Sequence, residues 1–159
     1  MILQLPANIQ LQIKKMDNTC LDGFLRFTMP EKLVPILTDG YAQAKTAIPF
    51  AITAFGDILT WEKNKYICMV SIVRGTTKVL ESGSDFFFED INDRAYAEKY
   101  FDLPLYESVR AREGNLEDDE CYGCVPLQAL GGTASIETFK KVKYREYLEL
   151  ALQVTGKVL

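Results

Sequence analysis

The sequence predicts an α+β domain in which an antiparallel sheet of about four to six strands is flanked by helices. The first observation is a series of β-branched and aromatic runs between Ile48 and Leu80, separated by only two to four turn residues. A parallel crossover needs about a dozen residues or more, so these short connections predict an antiparallel meander. The second observation is an apolar stripe after Gly132, which predicts a long C-terminal helix packed on the sheet.

Length and composition fit one domain. The 159 residues are 48% apolar and 25% charged, which suits a single globular core, and no repeat or linker divides them. We therefore predict one domain over residues 1–159. Residues 1–6 lack the basic start and apolar core of a signal peptide, and no apolar run approaches the ~18 residues of a membrane span. These features predict a cytoplasmic protein whose four cysteines stay reduced.

Each predicted element has a local signal. The predicted strands are Ile48–Phe55, Ile58–Trp61, Tyr66–Val73 and Lys78–Leu80. The predicted helices are Pro30 to about Thr38, which Pro35 disturbs, Asn92 or Asp93 to about Tyr100, Leu105–Arg112, and Ser135 to Val154 with Gly156 as its cap. The pattern leaves two segments open: Asp85–Asp90 is a strand or a buried anchor, and Ile2–Met16 is a strand or a helix.

Charge is distributed unevenly along the chain. Residues 81–120 carry 13 acidic and 4 basic side chains, whereas the net charge of the whole chain is only −4. An acidic region repels nucleic acid and attracts a basic partner, although a solvated acidic face is the alternative. The predicted partner-binding residues are Asp85, Glu89, Asp90, Asp93, Glu117, Asp118, Asp119 and Glu120.

Residue types exclude several kinds of chemistry. The chain has no histidine, which excludes Ser-His and Cys-His nucleophilic pairs and His-ligated metal sites. Cys121 and Cys124 have the spacing of a redox motif or half a zinc site, but no second cysteine pair accompanies them. We therefore expect no metal and no cofactor, and predict that Cys124 fills an apolar position. The acidic residues also lack the pattern of a calcium loop.

Glycine and carboxylate motifs leave further alternatives. Gly131-Gly132 lacks the flanking residues of a phosphate loop or a dinucleotide site, which favours a tight turn with positive φ. Phe55 and Trp61 are expected in the core, with Gly56-Asp57 as a turn. A catalytic carboxylate pair leaves no local signature, so a small carboxylate-based enzyme or ligand-binding domain remains open.

A group of these residues together resembles a known family. Tyr122, Gly123, Pro126 and the run Ala129-Leu130-Gly131-Gly132 stand in the register of a C-terminal signature of bacterial immunity proteins. That family includes the C-terminal domain of proteins that neutralise a DNase toxin of the type VI secretion system. The sequence departs from its pattern at Cys124, where the family has an aromatic residue, and at Gln128, where it is usually apolar. Upstream, Phe55-Gly56-Asp57 and Trp61 are similar to the wider SUKH group of immunity proteins.

The resemblance implies a binding function. It implies an immunity protein, not an enzyme, that neutralises a cognate toxin, with a basic nuclease as the expected target and neither nucleic acid nor membrane as a partner. Two other functions stay open: the carboxylate-based domain above, and a SUKH-like regulatory interaction module.

Overall fold

A six-stranded antiparallel sheet, here called the large sheet, is the main element of the computed structural model, which describes residues 4–159. Its strands lie side by side in chain order. They are β1 (Thr19–Cys20), β2 (Leu25–Phe27), β3 (Ala47–Thr53), β4 (Ile58–Glu62), β5 (Tyr66–Ser71) and β6 (Thr76–Ser82). The α+β class and the predicted meander are confirmed, because β3 to β6 pair antiparallel in sequence order.

Burial explains which strands the sequence reveals. Every residue of β3 and β4 is buried, so both faces of these strands are covered and their apolar runs are continuous. The pattern does not predict β1 and β2, because strands of two and three residues are too short to show a period.

Six α-helices within residues 4–159 surround the large sheet. They are α1 (Ala7–Lys15), α2 (Pro30–Gly40), α3 (Phe87–Asp90), α4 (Arg94–Ala97), α5 (Leu103–Glu113) and α6 (Tyr144–Thr155). The undecided first segment is thus a helix at α1, while residues 1–3 lie outside the described part of the chain. No helix within residues 4–159 is both long and apolar enough to cross a membrane.

Three predicted helices, α2, α4 and α5, agree in type and differ in bounds, and α5 runs from Leu103 to Glu113. Proline 35 lies inside α2, which nevertheless continues to Gly40. The segment before Asn92 is a buried anchor, since α3 buries Phe87 and Phe88. Asp93 caps α4 as predicted, but that helix ends at Ala97 and not near Tyr100.

The predicted start of the C-terminal helix at Ser135 is wrong. Ser135 instead caps a 3₁₀ turn, and Phe139–Lys143 forms strand β8. That strand pairs antiparallel with β7 (Glu120–Cys124), and the two make a separate small sheet. The helix α6 begins only at Tyr144 and ends before Gly156, which has a positive φ of 78° as expected of a cap.

The large sheet separates two apolar clusters. On one face, Phe50 packs with Phe88 and the side chains of α5. On the other face, Ile58 packs with Leu37 of α2 and Leu148 of α6. The predicted packing of the C-terminal helix on the sheet is therefore confirmed, with two helix layers sharing one sheet.

Candidate partner-binding surface

The loop Glu117–Glu120 leads into β7 and is held by an arginine of the large sheet. Arg26 of β2 donates from Nη1 to the backbone oxygens of Glu117 at 3.0 Å and Asp118 at 3.5 Å. Its Nη2 donates to the backbone oxygen of Glu120 at 2.6 Å. Arg26 thus fixes the loop through its carbonyl oxygens and forms no salt bridge with its carboxylates within residues 4–159. Burial is the main cause that lowers the pKa of Arg26, but a guanidinium stays charged at neutral pH.

The four carboxylates of this loop are not equivalent. Glu117, Asp118 and Asp119 are exposed, whereas Glu120 is half-buried and its Oε1 accepts a hydrogen bond from the Glu117 N–H at 2.8 Å. Asp119 forms a salt bridge of 2.9 Å with Lys143, and this hydrogen bond lowers the pKa of Asp119. Within residues 4–159, Asp118 forms no salt bridge. Glu117 also forms none there, so Glu117 and Asp118 are the carboxylates of this loop most available to a partner.

A second acidic group surrounds α3. Asp85 and Glu89 are exposed and Asp90 is half-buried, with the exposed aromatic ring of Phe86 next to Asp85. The side chain of Asp93 caps the start of α4, because its Oδ1 accepts hydrogen bonds from the backbone N–H groups of Ala95 and Tyr96.

The two acidic groups are held by opposite faces of β2. Successive side chains of a strand point to opposite faces. Phe27 packs against Phe88 of α3, with ring centroids 5.9 Å apart, whereas the preceding residue, Arg26, contacts the Glu117–Glu120 loop. Different residues of β2 therefore contact the segments that carry the two groups of predicted partner-binding residues.

The segment from Tyr122 to Gly132, which carries the family resemblance, contains the end of β7 and the turn that follows it. Tyr122 is buried in β7 and its hydroxyl donates to the backbone oxygen of Gly114. A Cβ on Gly123 would lie 2.7 Å from Val142 and 2.8 Å from Tyr147, so only glycine fits under α6. Tyr147 in turn accepts a hydrogen bond from the Cys124 N–H at 3.0 Å.

The two glycines after Pro126, Gly131 and Gly132, have different structural roles. Gly131 has a φ of +97°, a conformation that favours glycine. Gly132 lacks that strain, but a Cβ there would lie 1.9 Å from the backbone oxygen of Pro126. The pair gives a left-handed residue followed by a close approach of two backbones.

The motif Phe55-Gly56-Asp57 places the carboxylate of Asp57 beside Arg74. Gly56 has a φ of +88°, and the turn directs Asp57 inward, where its side chain is only 10% exposed. Arg74, from the β5–β6 connection, donates from Nη2 to Asp57 Oδ2 at 2.8 Å. Burial raises the pKa of Asp57, and Arg74 opposes that rise. Trp61 lies in the core and Phe55 packs on Phe139 with ring centroids 5.0 Å apart.

The Cys121–Cys124 spacing falls on a strand, which separates the two thiols. Residues three apart in a strand point to opposite faces, and Cys121 and Cys124 belong to different apolar clusters. Burial raises the pKa of Cys121 to about 12. All four cysteines are free thiols, and within residues 4–159 no cluster of three or more cysteine and carboxylate groups is placed to hold a metal ion.

A cleft of about 260 Å³ lies above Asp57, and we call it the aromatic cleft. Its walls come from both halves of the chain. The residues that define it here are Phe55, Asp57, Arg74, Tyr100, Tyr122 and Tyr147. A second groove of about 350 Å³ lies beside Asp119 and mixes acidic and basic side chains of α2 and α6.

A comparison of the chain with models of protein families finds a match in its C-terminal half. The family model described as T6SS immunity protein Tdi1, C-terminal, matches residues 81–155, just under half of the chain. Residues 81–155 are thus similar to the C-terminal domain of type VI secretion immunity proteins. The family resemblance seen in the sequence is thereby confirmed. The matched segment includes both acidic groups and the small sheet, whereas β1 to β5, with Arg26 and Asp57, lie outside the match.

The fold extends beyond that match. A crystal structure of Atu4351 from Agrobacterium tumefaciens is similar over 91% of this chain and 80% of that chain, with a TM-score of 0.66 and 15% sequence identity. At that identity the similarity shows the fold alone. No curated protein matches the chain.

Sequence pattern does not reveal Arg26 or Arg74 as parts of these sites. Arg26 lies 91 positions from the loop residue Glu117 that it contacts, and Arg74 lies 17 positions from Asp57. Neither arginine lies in a recognisable sequence motif, so only the folded chain shows its partner.

Proposed function

We propose that this protein binds and neutralises a cognate toxin, with a basic nuclease as the target. The match of residues 81–155 to the type VI secretion immunity family carries the proposal. The excess of acidic over basic residues in 81–120 supports the nuclease, since an enzyme that binds nucleic acid presents positive charge. Nucleic acid to be protected lies in the cytoplasm, so the proposal places the protein there.

The proposed contact begins at the Glu117–Glu120 loop. Its exposed carboxylates stand on a backbone that Arg26 already holds, so little conformational entropy is lost when a partner binds. Charge complementarity of this kind accelerates diffusional encounter more than it strengthens the final complex. The acidic surface therefore acts first on the association rate, and its effect falls as salt is added.

Charge reversal at single positions tests the proposal. The protein encoded next to this gene is the candidate toxin, purified as a catalytically inactive variant. Asp118→Lys is expected to slow association several-fold at low salt and to flatten its dependence on ionic strength. Asp39→Lys is the matched control, because Asp39 is an exposed aspartate of α2 outside both acidic groups. Asp85→Lys tests the second acidic group in the same way.

The outcomes separate the parts of the proposal. Co-expression must relieve the toxicity of the active enzyme, and absence of both rescue and binding by the parent protein contradicts the immunity function toward that toxin. Equal rates for Asp118→Lys and Asp39→Lys remove the Glu117–Glu120 loop from the interface. A slower rate for Asp85→Lys alone then assigns the contact to the surface around α3.

A further inference from the structure

The aromatic cleft combines a buried carboxylate with aromatic walls. Asp57 lies within it, and Tyr100, Tyr122 and Tyr147 contribute aromatic surface around it. A second carboxylate, Asp102, also lines the cleft, whereas Arg74 is the one basic residue among its lining residues in 4–159. The lining therefore carries an excess of negative charge, which complements a cation.

The ion pair in the cleft is only partly formed. Arg74 reaches Asp57 through a single hydrogen bond, to Oδ2, although a guanidinium and a carboxylate are able to form two. The side chain of Arg74 is 55% exposed, whereas that of Asp57 is 10% exposed. Arg74 Nε also donates to Ser71 Oγ at 3.2 Å, so an incoming cation has to replace Arg74 and keep the buried carboxylate paired at the same time.

Size and wall chemistry restrict the occupant. Small-molecule pockets are usually about 300–1,000 Å³, so a cleft of about 260 Å³ fits a single side chain better than a metabolite. Aromatic rings attract cations through their faces. The ring of Tyr100 already forms such a cation–π contact in the free protein, because Lys78 Nζ lies 5.1 Å from its centroid.

We propose that the aromatic cleft receives one arginine or lysine side chain of the protein partner, whose cationic group replaces Arg74 at Asp57. This inference rests on the proposed function, because it assumes a basic protein partner. It assigns a role to Phe55-Gly56-Asp57, which lies outside the matched segment and yet faces that segment across the cleft. The aliphatic part of the inserted side chain packs on the tyrosine rings, and its charge meets the carboxylate.

Two substitutions of the same ion pair have opposite expected effects on partner binding. Asp57→Asn removes the acceptor charge and is expected to raise the Kd of the toxin complex by roughly 30-fold, the low end for loss of one member of a buried charge pair. Arg74→Gln removes the competing cation and is expected to lower that Kd several-fold. Both variants lose the internal salt bridge, so a purely structural role predicts weaker binding for both. Changes in the same direction, or no change in either variant, would overturn the proposal.

A second measurement does not need the toxin. N-acetyl-arginine methylamide is titrated into the Arg74→Gln protein, and N-acetyl-citrulline methylamide serves as the neutral control of the same shape. The arginine compound is expected to shift the backbone amide signals of Phe55, Gly56 and Asp57 in NMR spectra with saturation, and the citrulline compound is not. Equal shifts with both compounds, or none with either, would contradict cation binding in the cleft.

The two measurements distinguish this inference from the proposed function. If the parent protein does not bind the toxin while the arginine probe binds the Arg74→Gln protein, the proposed partner is wrong and the cation site stands. If the parent protein binds the toxin and neither test detects the cleft, the immunity function stands and the cleft is not part of it. Thermal unfolding of each variant checks that it is folded at the temperature of the assay.

Discussion

The large sheet and the small sheet are both antiparallel, but their strands are specified differently. In the large sheet, β3 and β4 are buried at every position, so their apolar runs identify them as strands. In the small sheet, β8 has the sequence Phe-Lys-Lys-Val-Lys, and only Phe139 is fully buried. Its three lysines fit the polar face of a helix equally well. Pairing with β7, and not local propensity, makes this segment a strand.

The difference has a consequence for stability. The central strands β3, β4 and β5 of the large sheet gain from burial on two faces, whereas the small sheet depends on a few specific contacts at its turn, at Arg26 and under α6. Substitutions at those contacts are therefore expected to lower the free energy of unfolding by more than the size of the changed side chains would suggest.

The turn between β7 and β8 is expected to be the most sensitive point. Gly132→Ala places a Cβ 1.9 Å from the backbone oxygen of Pro126, and a backbone atom cannot move aside cheaply. We expect a loss of about 3 kcal/mol or more in the free energy of unfolding, at or beyond the upper end for overpacked sites. Gly131→Ala meets no atom within 4 Å and bears only the strain of positive φ, for which about 1–2 kcal/mol is expected. Urea unfolding of both variants measures the difference, and a reversed order would refute this account of the turn.

Removal of Arg26 breaks the connection between the large sheet and the acidic loop. Arg26→Ala deletes three charge-assisted hydrogen bonds to backbone oxygens, and a loss of about 2–3 kcal/mol is expected. Arg26→Lys keeps the charge but lacks the planar fork, so partial retention is expected. Hydrogen exchange should accelerate at the backbone amides of residues 117–120 and remain unchanged in β4. Uniform acceleration throughout the chain would show that Arg26 supports the whole fold and not this loop.

The contact between α6 and the small sheet is expected to have a smaller effect. Tyr147→Phe removes the hydroxyl that accepts the Cys124 N–H and leaves that buried donor without a partner. We expect a loss of about 1–2 kcal/mol in the free energy of unfolding. Tyr66→Phe is the control, because Tyr66 belongs to the large sheet and its side chain is half-buried. Equal midpoints for the two variants would show that the hydrogen bond to Cys124 contributes nothing net.

Alkaline pH provides the smallest expected effect and acts on both sheets. Burial raises the pKa of Cys68 in the large sheet and of Cys121 in the small sheet to about 12. A thiol whose pKa is higher in the folded than in the unfolded state stabilises the folded state at pH values below the unfolded pKa. That stabilisation is lost as the pH rises toward the folded pKa, here between about pH 9 and 12. From pH 8 to pH 9 each thiol is expected to lower the unfolding free energy by roughly 0.4 kcal/mol. Urea midpoints of the parent and of Cys68→Ala and Cys121→Ala across this interval test it, and identical pH slopes would contradict it.

The functional residues show the same division between local and distant information. Phe55-Gly56-Asp57 and the Tyr122–Gly132 segment are visible in the sequence because turns and close backbone approaches need particular residue types. Their partners are not visible. Arg74 and Arg26 are single arginines whose importance arises from the atoms opposite them, namely Asp57 Oδ2 and the backbone oxygens of the acidic loop.

By itself, the sequence determined the α+β class, the central meander, the family resemblance and the excess of acidic residues in 81–120. Each of these depends on composition or on spacing between near neighbours, which physical chemistry links directly to local structure. Only the tertiary structure decided that Phe139–Lys143 is a strand, that Arg26 holds the Glu117–Glu120 loop, and that Cys121 and Cys124 face apart. These features depend on pairing and burial between residues distant in the chain, where the energy of a contact outweighs the preference of a short segment.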